Sequence, residues 1–116
     1  MLLKIEIFEK ISNIYSSELT IDLKNKKTTY KKGDTTIQEK ELTIPEKEIA
    51  NLLKDYITYW KSEDSSPDTK DEGRSIDIHI IYEEHSINYN FQNEFPLDLE
   101  EFIKNLKNKV DIYKEG

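Results

Sequence analysis

The stretch IDIHIIYEEHSINYNFQ, residues Ile76 to Gln92, decides the fold. Ile76, Ile78, Ile80 and Tyr82 alternate with Asp77, His79, Ile81 and Glu83, the period of a strand with one face buried. After a turn around Glu84-His85, Ile87, Tyr89 and Phe91 alternate with Ser86, Asn88 and Asn90. A hairpin pairing Tyr82 with Ile87, Ile80 with Tyr89 and Ile78 with Phe91 puts every apolar member except Ile81 on one side. The other side then presents Asp77, His79, Glu83, Asn88, Asn90 and Gln92.

An apolar sheet face needs a cover, and two helical stripes supply one. Ile49, Leu52, Leu53, Tyr56 and Trp60 fall on one face of a helix that should end near Lys61. Its start carries a capping-box pattern, Thr43 to Glu46, with Pro45 in the first turn. Leu99, Phe102, Ile103, Leu106 and Val110 repeat the stripe behind a potential N-cap at Asp98, with Glu100 and Glu101 complementing the helix dipole. The tail from Asp111 to Gly116 is expected to fray.

Upstream, Leu2 to Glu9 alternates loosely, with Leu3, Ile5 and Ile7 on one face and Leu2, Lys4, Glu6 and Phe8 on the other. Lys10 to Ser17 fits either a strand extension or a helical turn. Leu19, Ile21 and Leu23 form a strand. A two-residue loop at Asn25-Lys26 would set Leu23 opposite Thr28 and Ile21 opposite Tyr30. Gly33-Asp34 marks another turn, followed by a strand from Thr35 to about Leu42. Lys61 to Ser75 is polar and aperiodic and reads as a long loop. The expectation is one α+β domain over residues 1–116: a mainly antiparallel sheet of about five strands with two helices on one face, in the order β-β-β-α-β-β-α.

Composition narrows the chemistry. There is no cysteine, hence no disulfide, thiolate metal site or cysteine nucleophile. Three glycines cannot build a phosphate-cradling loop or a dinucleotide fingerprint, and neither G-x-S-x-G nor H-E-x-x-H occurs. No apolar run approaches the roughly 20 residues that span a bilayer, and Lys4 and Glu6 interrupt the start as a secretory leader, so a cytoplasmic protein without a membrane role is expected. Sixteen lysines against one arginine, with abundant Ile, Asn and Tyr, point to AT-rich codons and a bacterial or phage source.

Individual candidates are thin. His79, beside Asp77, has the residue types of a carboxylate-oriented base, yet no nucleophile is placed next to it and an ordinary polar sheet residue is the simpler reading. His85 reads as a surface turn residue, and Tyr59 as an aromatic lying over the core edge. An EF-hand starting at Asp68 would need oxygen ligands where Lys70 and His79 stand. Neither a cofactor nor a metal is expected, and no enzyme.

Charge is the feature above background. The net charge is −7, yet Lys24 to Lys32 holds five lysines and no acid, which leaves twelve bases against 24 acids elsewhere. A basic hairpin sits on an acidic body. In profile the chain resembles small acidic immunity proteins and phage-encoded inhibitors. The expectation is a non-enzymatic protein-binding module that occludes a basic partner by acidic complementarity. Its candidate surfaces are the acidic stretch Glu63, Asp64, Asp68, Asp71 and Glu72 and the polar sheet face Asp77, His79, Asn88 and Asn90. The alternatives are a nucleic-acid contact through Lys24, Lys26, Lys27, Tyr30, Lys31 and Lys32, and a purely structural domain. Nucleic acid is the weaker alternative, because the acidic body repels a polyanion and the hairpin lacks arginine.

Overall fold

The structure, a computed structural model, describes residues 1–12, 14–57, 60 and 69–112. Strands β1 (Leu2–Ile11), β2 (Tyr15–Asp22), β3 (Lys27–Lys32) and β4 (Thr35–Glu41) precede helix α1 (Glu46–Ile57). Strands β5 (Thr69–Tyr82) and β6 (Ser86–Phe95) then lead into helix α2 (Leu99–Lys109). All six strands share one sheet in the order β4-β3-β2-β1-β5-β6, and every neighbouring pair is antiparallel. The architecture is α+β as expected, with one strand more ahead of α1.

The helices lie on the face built by Ile5, Ile7, Leu19, Ile21, Ile76, Ile78 and Ile80, all buried. They contribute Ile49, Leu53 and Tyr56 from α1 and Leu99, Phe102 and Leu106 from α2. Leu2, not Leu3, joins this core: the pairing with β5 shifts between Leu2 and Lys4, and that irregularity turns Leu2 inward.

Both hairpins keep the expected faces but slip by two residues. Ile21 faces Thr28 and Leu19 faces Tyr30; Ile80 faces Ile87, Ile78 faces Tyr89 and Ile76 faces Phe91. A two-residue slip preserves the side-chain period, so the burial pattern survives. The cause at the first hairpin is its longer turn. Asp22 accepts from the backbone and side-chain nitrogens of Asn25, at 3.0 and 2.9 Å, and Lys26 takes φ +57°. Gly33 turns β3 into β4 at φ +58°.

Three further expectations change. Residues 69–75, read as loop, belong to β5, because β6 offers partners to them: Thr69 faces Phe95 and Lys70 faces Glu94. The pairing is interrupted between Lys70 and Ser75, where Gly73 adopts φ +82° and its carbonyl accepts the Ser12 N–H at 2.6 Å. Residues 61–68 of that expected loop, and Tyr59, lie outside the described residues. Trp60 stands beyond α1, so the helix stops short of Lys61. At the C-terminus, Asp111 takes φ +62°, and Ile112 N–H returns to the Lys107 carbonyl at 2.9 Å while Asp111 N–H bonds Asn108. That is a Schellman closure, and it buries Ile112 where fraying was expected. Residues 113–116 of the expected tail lie outside the described residues.

The helix starts also differ from simple caps. The Glu46 carboxylate accepts the Leu2 N–H at 3.4 Å, tying α1 to β1. Asp98 makes no side-chain cap; it accepts the Trp60 indole N–H at 2.8 Å. Glu101 of α2 accepts the Tyr56 hydroxyl at 2.7 Å, and Asn105 donates to the same oxygen. Arg74 bridges the sheet to the first turn of α2 by pairing with Glu9 at 2.8 Å and Glu100 at 2.5 Å. Burial opposes its charge, but the Glu100 and Glu9 carboxylates outweigh that and raise its pKa above the ordinary value.

Candidate functional site

With both helices on one side, the opposite sheet face carries none of the described helices. Its side chains come from the alternate residues of every strand, so register alone sets which ones meet. Reading across, Glu6 faces Thr20 on β2 and His79 on β5, and His79 faces Asn88. One row along, Phe8 faces Glu18 and Asp77, and Asp77 faces Asn90. A third row alternates in charge: Glu41, Lys27, Asp22 and Lys4.

The four sheet-face residues expected from sequence therefore do come together. Asn90 donates to the Asp77 carboxylate, and His79 and Asn88 are direct cross-strand neighbours. His79 lies with Nδ1 3.5 Å from Glu6 and its ring 5.5 Å from the Phe8 ring. Its side chain is 39% exposed, and its direct cross-strand neighbours, Glu6 and Asn88, carry neither hydroxyl nor thiol.

Phe8 was not singled out by sequence reasoning, although its place among Lys4 and Glu6 on the polar side of β1 was the available signal. It is a half-buried aromatic ring on a face that is polar apart from it and Ile81 along β1 and β5, bordered by Glu6, Glu18 and Asp77 and by Lys10. Beside it lies a shallow cleft of about 340 Å³ lined by Phe8, Glu18, Asp77, Ser75, Lys10 and Ser16. The combination is an apolar anchor with three carboxylates around it.

The basic hairpin is less available than its sequence suggests. Lys27 pairs with Glu39 at 3.0 Å, and Lys31 faces Glu18 across β2. Lys32 lies over the Tyr15 ring, and Lys24 and Lys26 are exposed in the turn. Tyr30 is only 5% exposed, points into the helix-covered side beneath Lys107, and meets the Tyr15 hydroxyl at 3.3 Å. Burial and that contact push its phenol pKa well up. A ring so placed cannot stack on a base, which corrects the role given to Tyr30 in the nucleic-acid reading.

Of the acidic stretch, Glu63, Asp64 and Asp68 lie outside the described residues, and Asp71 and Glu72 belong to β5. His85 is exposed at the β5–β6 turn and stacks on Tyr82 at 4.7 Å. Among the described residues no three His, Asp or Glu side chains form a metal-binding cluster, and no helix is long and apolar enough to cross a membrane. No protein-family model matches the chain, and no curated protein matches it.

Proposed function

We propose that this chain is a non-enzymatic protein-binding module whose open sheet face docks a basic protein partner, in the manner of an immunity or inhibitor protein that occludes its partner's site. The observation that carries the reading is Phe8 on that face, half-buried and bordered by Glu6, Glu18 and Asp77. Interfaces draw most of their affinity from a few anchors of this kind, with aromatic rings prominent among them. Carboxylates around the ring favour a cationic approach and speed encounter, and the excess of acids outside the lysine hairpin extends that field. His79, Asn88 and Asn90 supply polar groups at the rim.

Affinity capture from a lysate of the source organism, run in parallel with the triple variant Phe8→Ala/Glu18→Gln/Asp77→Asn, tests this. A stoichiometric basic protein held by the wild type and lost by the folded variant supports the reading. Equal capture by both, or nucleic acid as the retained species, overturns it. With the partner in hand, Glu18→Gln/Asp77→Asn is expected to slow association and flatten its salt dependence, leaving dissociation less affected.

A further inference from the structure

The two sheet edges are built differently. Edge strand β4 carries Glu39, Lys40 and Glu41, the charges that discourage edge-to-edge pairing. Edge strand β6 runs ten residues, SINYNFQNEF, with no lysine, proline or glycine and one charge, Glu94. Among the described residues it has a strand on one side only.

Its backbone orientation follows from the turn. The Tyr82 N–H donates to the His85 carbonyl at 2.8 Å, so that pair is of the hydrogen-bonded kind. Counting along the register, Ile87, Tyr89 and Phe91 direct their backbone groups to β5, while Ser86, Asn88, Asn90 and Gln92 direct theirs away. Four residues thus present N–H and C=O groups outward in one line.

We infer that β6 pairs antiparallel with β6 of a second copy of this chain, about a two-fold axis at Asn90. Centring there overlaps the strand from Ser86 to Glu94 and makes each facing pair hydrogen-bonded: Asn90 with Asn90, Asn88 with Gln92, Ser86 with Glu94. Carboxamides both donate and accept, so this row is complementary to its own copy. On the other face Tyr89 meets Phe91 of the second copy, extending the stack these rings already form at 6.0 Å and covering a half-buried apolar edge. A β6–β4 contact would instead polymerise and would set charged β4 against an uncharged row.

Sedimentation equilibrium of the full chain from micromolar to near-millimolar concentration is expected to reach twice 13.8 kDa. The equilibrium should move towards dimer as salt screens the −7 charge of each copy. Asn90→Pro removes an outward N–H at the cost of no backbone bond to β5, giving up only the side-chain bond to Asp77, and should weaken the dimer by roughly tenfold or more. Should that variant fail to fold, a charge pair decides. Asn88→Lys/Gln92→Lys opposes like charges across the axis and should dissociate the dimer, whereas Asn88→Lys/Gln92→Glu opposes unlike charges and should keep it. A monomer throughout, or both double variants dimerising alike, overturns the inference. Phe8→Ala/Glu18→Gln leaves β6 and the Asn90–Asp77 bond intact, so failure of the docking face and failure of the dimer are read separately.

Discussion

Trp60 gives its indole N–H to the Asp98 carboxylate at 2.8 Å, joining the segment beyond α1 to the start of α2. The ring is 4% exposed and meets Phe102, Tyr89 and Phe91 edge-on at 5.0, 5.7 and 5.9 Å. Its nitrogen therefore has no water to fall back on. Asp98→Ala is expected to cost about 1–3 kcal/mol, the penalty of an orphaned buried donor, while Asp98→Asn retains an acceptor and most of the stability. Urea unfolding followed by Trp60 fluorescence checks both. Equal losses would assign Asp98 to the helix terminus instead.

Thr28 is fully buried on the helix-covered face of β3, and its hydroxyl has no hydrogen-bond partner among the described residues. Thr28→Val exchanges that hydroxyl for a methyl of similar shape in a strand that favours β-branched residues. A gain of about 1 kcal/mol in thermal or chemical unfolding is expected. A loss would mean the hydroxyl is satisfied.

Gly73 is held at φ +82°, and a Cβ added there would stand 2.5 Å from the Ser12 hydroxyl oxygen. Gly73→Ala should destabilise by at least about 1 kcal/mol, part from the backbone and part from the contact. Adding Ser12→Ala recovers only the second part, which a double-mutant cycle separates.

Asp22 sits between Lys4 on β1 and Lys27 on β3. Partial burial pushes its pKa up, but the bonds from Asn25, helped by Lys4 and the Lys24 N–H, outweigh this and hold it below the ordinary value. A depressed carboxylate contributes stability above its unfolded pKa of about 3.9, and loses it as pH falls through the lower folded value. Melting temperature should therefore fall below about pH 4 less steeply in Asn25→Ala than in wild type. The site is mostly solvated, so the contribution at neutral pH stays under about 1 kcal/mol. Identical acid slopes would remove Asp22 from the pH response.

Alternation set the faces of Ile76 to Gln92 and of Leu19 to Tyr30 correctly, because side-chain period is a property of the strand itself. Register is a property of the turn: the first holds two more residues than the shortest hairpin would, and the second is centred at Glu83-Glu84, one residue earlier than expected. Leu2 was misassigned because an irregularity in pairing leaves no composition signal. Residues 69–75 read as loop since KDEGRS has no alternation, yet strand pairing with β6 needs only backbone. The sheet-face candidates Asp77, His79, Asn88 and Asn90 were legible for the same reason as the fold. Phe8 is visible on the face of Lys4 and Glu6, but its carboxylate border arises from Glu18 and Asp77 on two other strands, which β1 alone does not show.

The strand order β4-β3-β2-β1-β5-β6 puts the earliest strand in the interior of the sheet. During synthesis β1 to β4 can zip up as soon as they emerge, but one flank of β1 must wait for β5, with Leu2 meeting Tyr82 only after α1 has been made. Until then the nascent chain exposes Ile5 and Ile7 beside an open ladder. A ribosome stalled before residue 69 would leave four strands with β1 as a sticky open edge, and chaperone occupancy is expected to peak there.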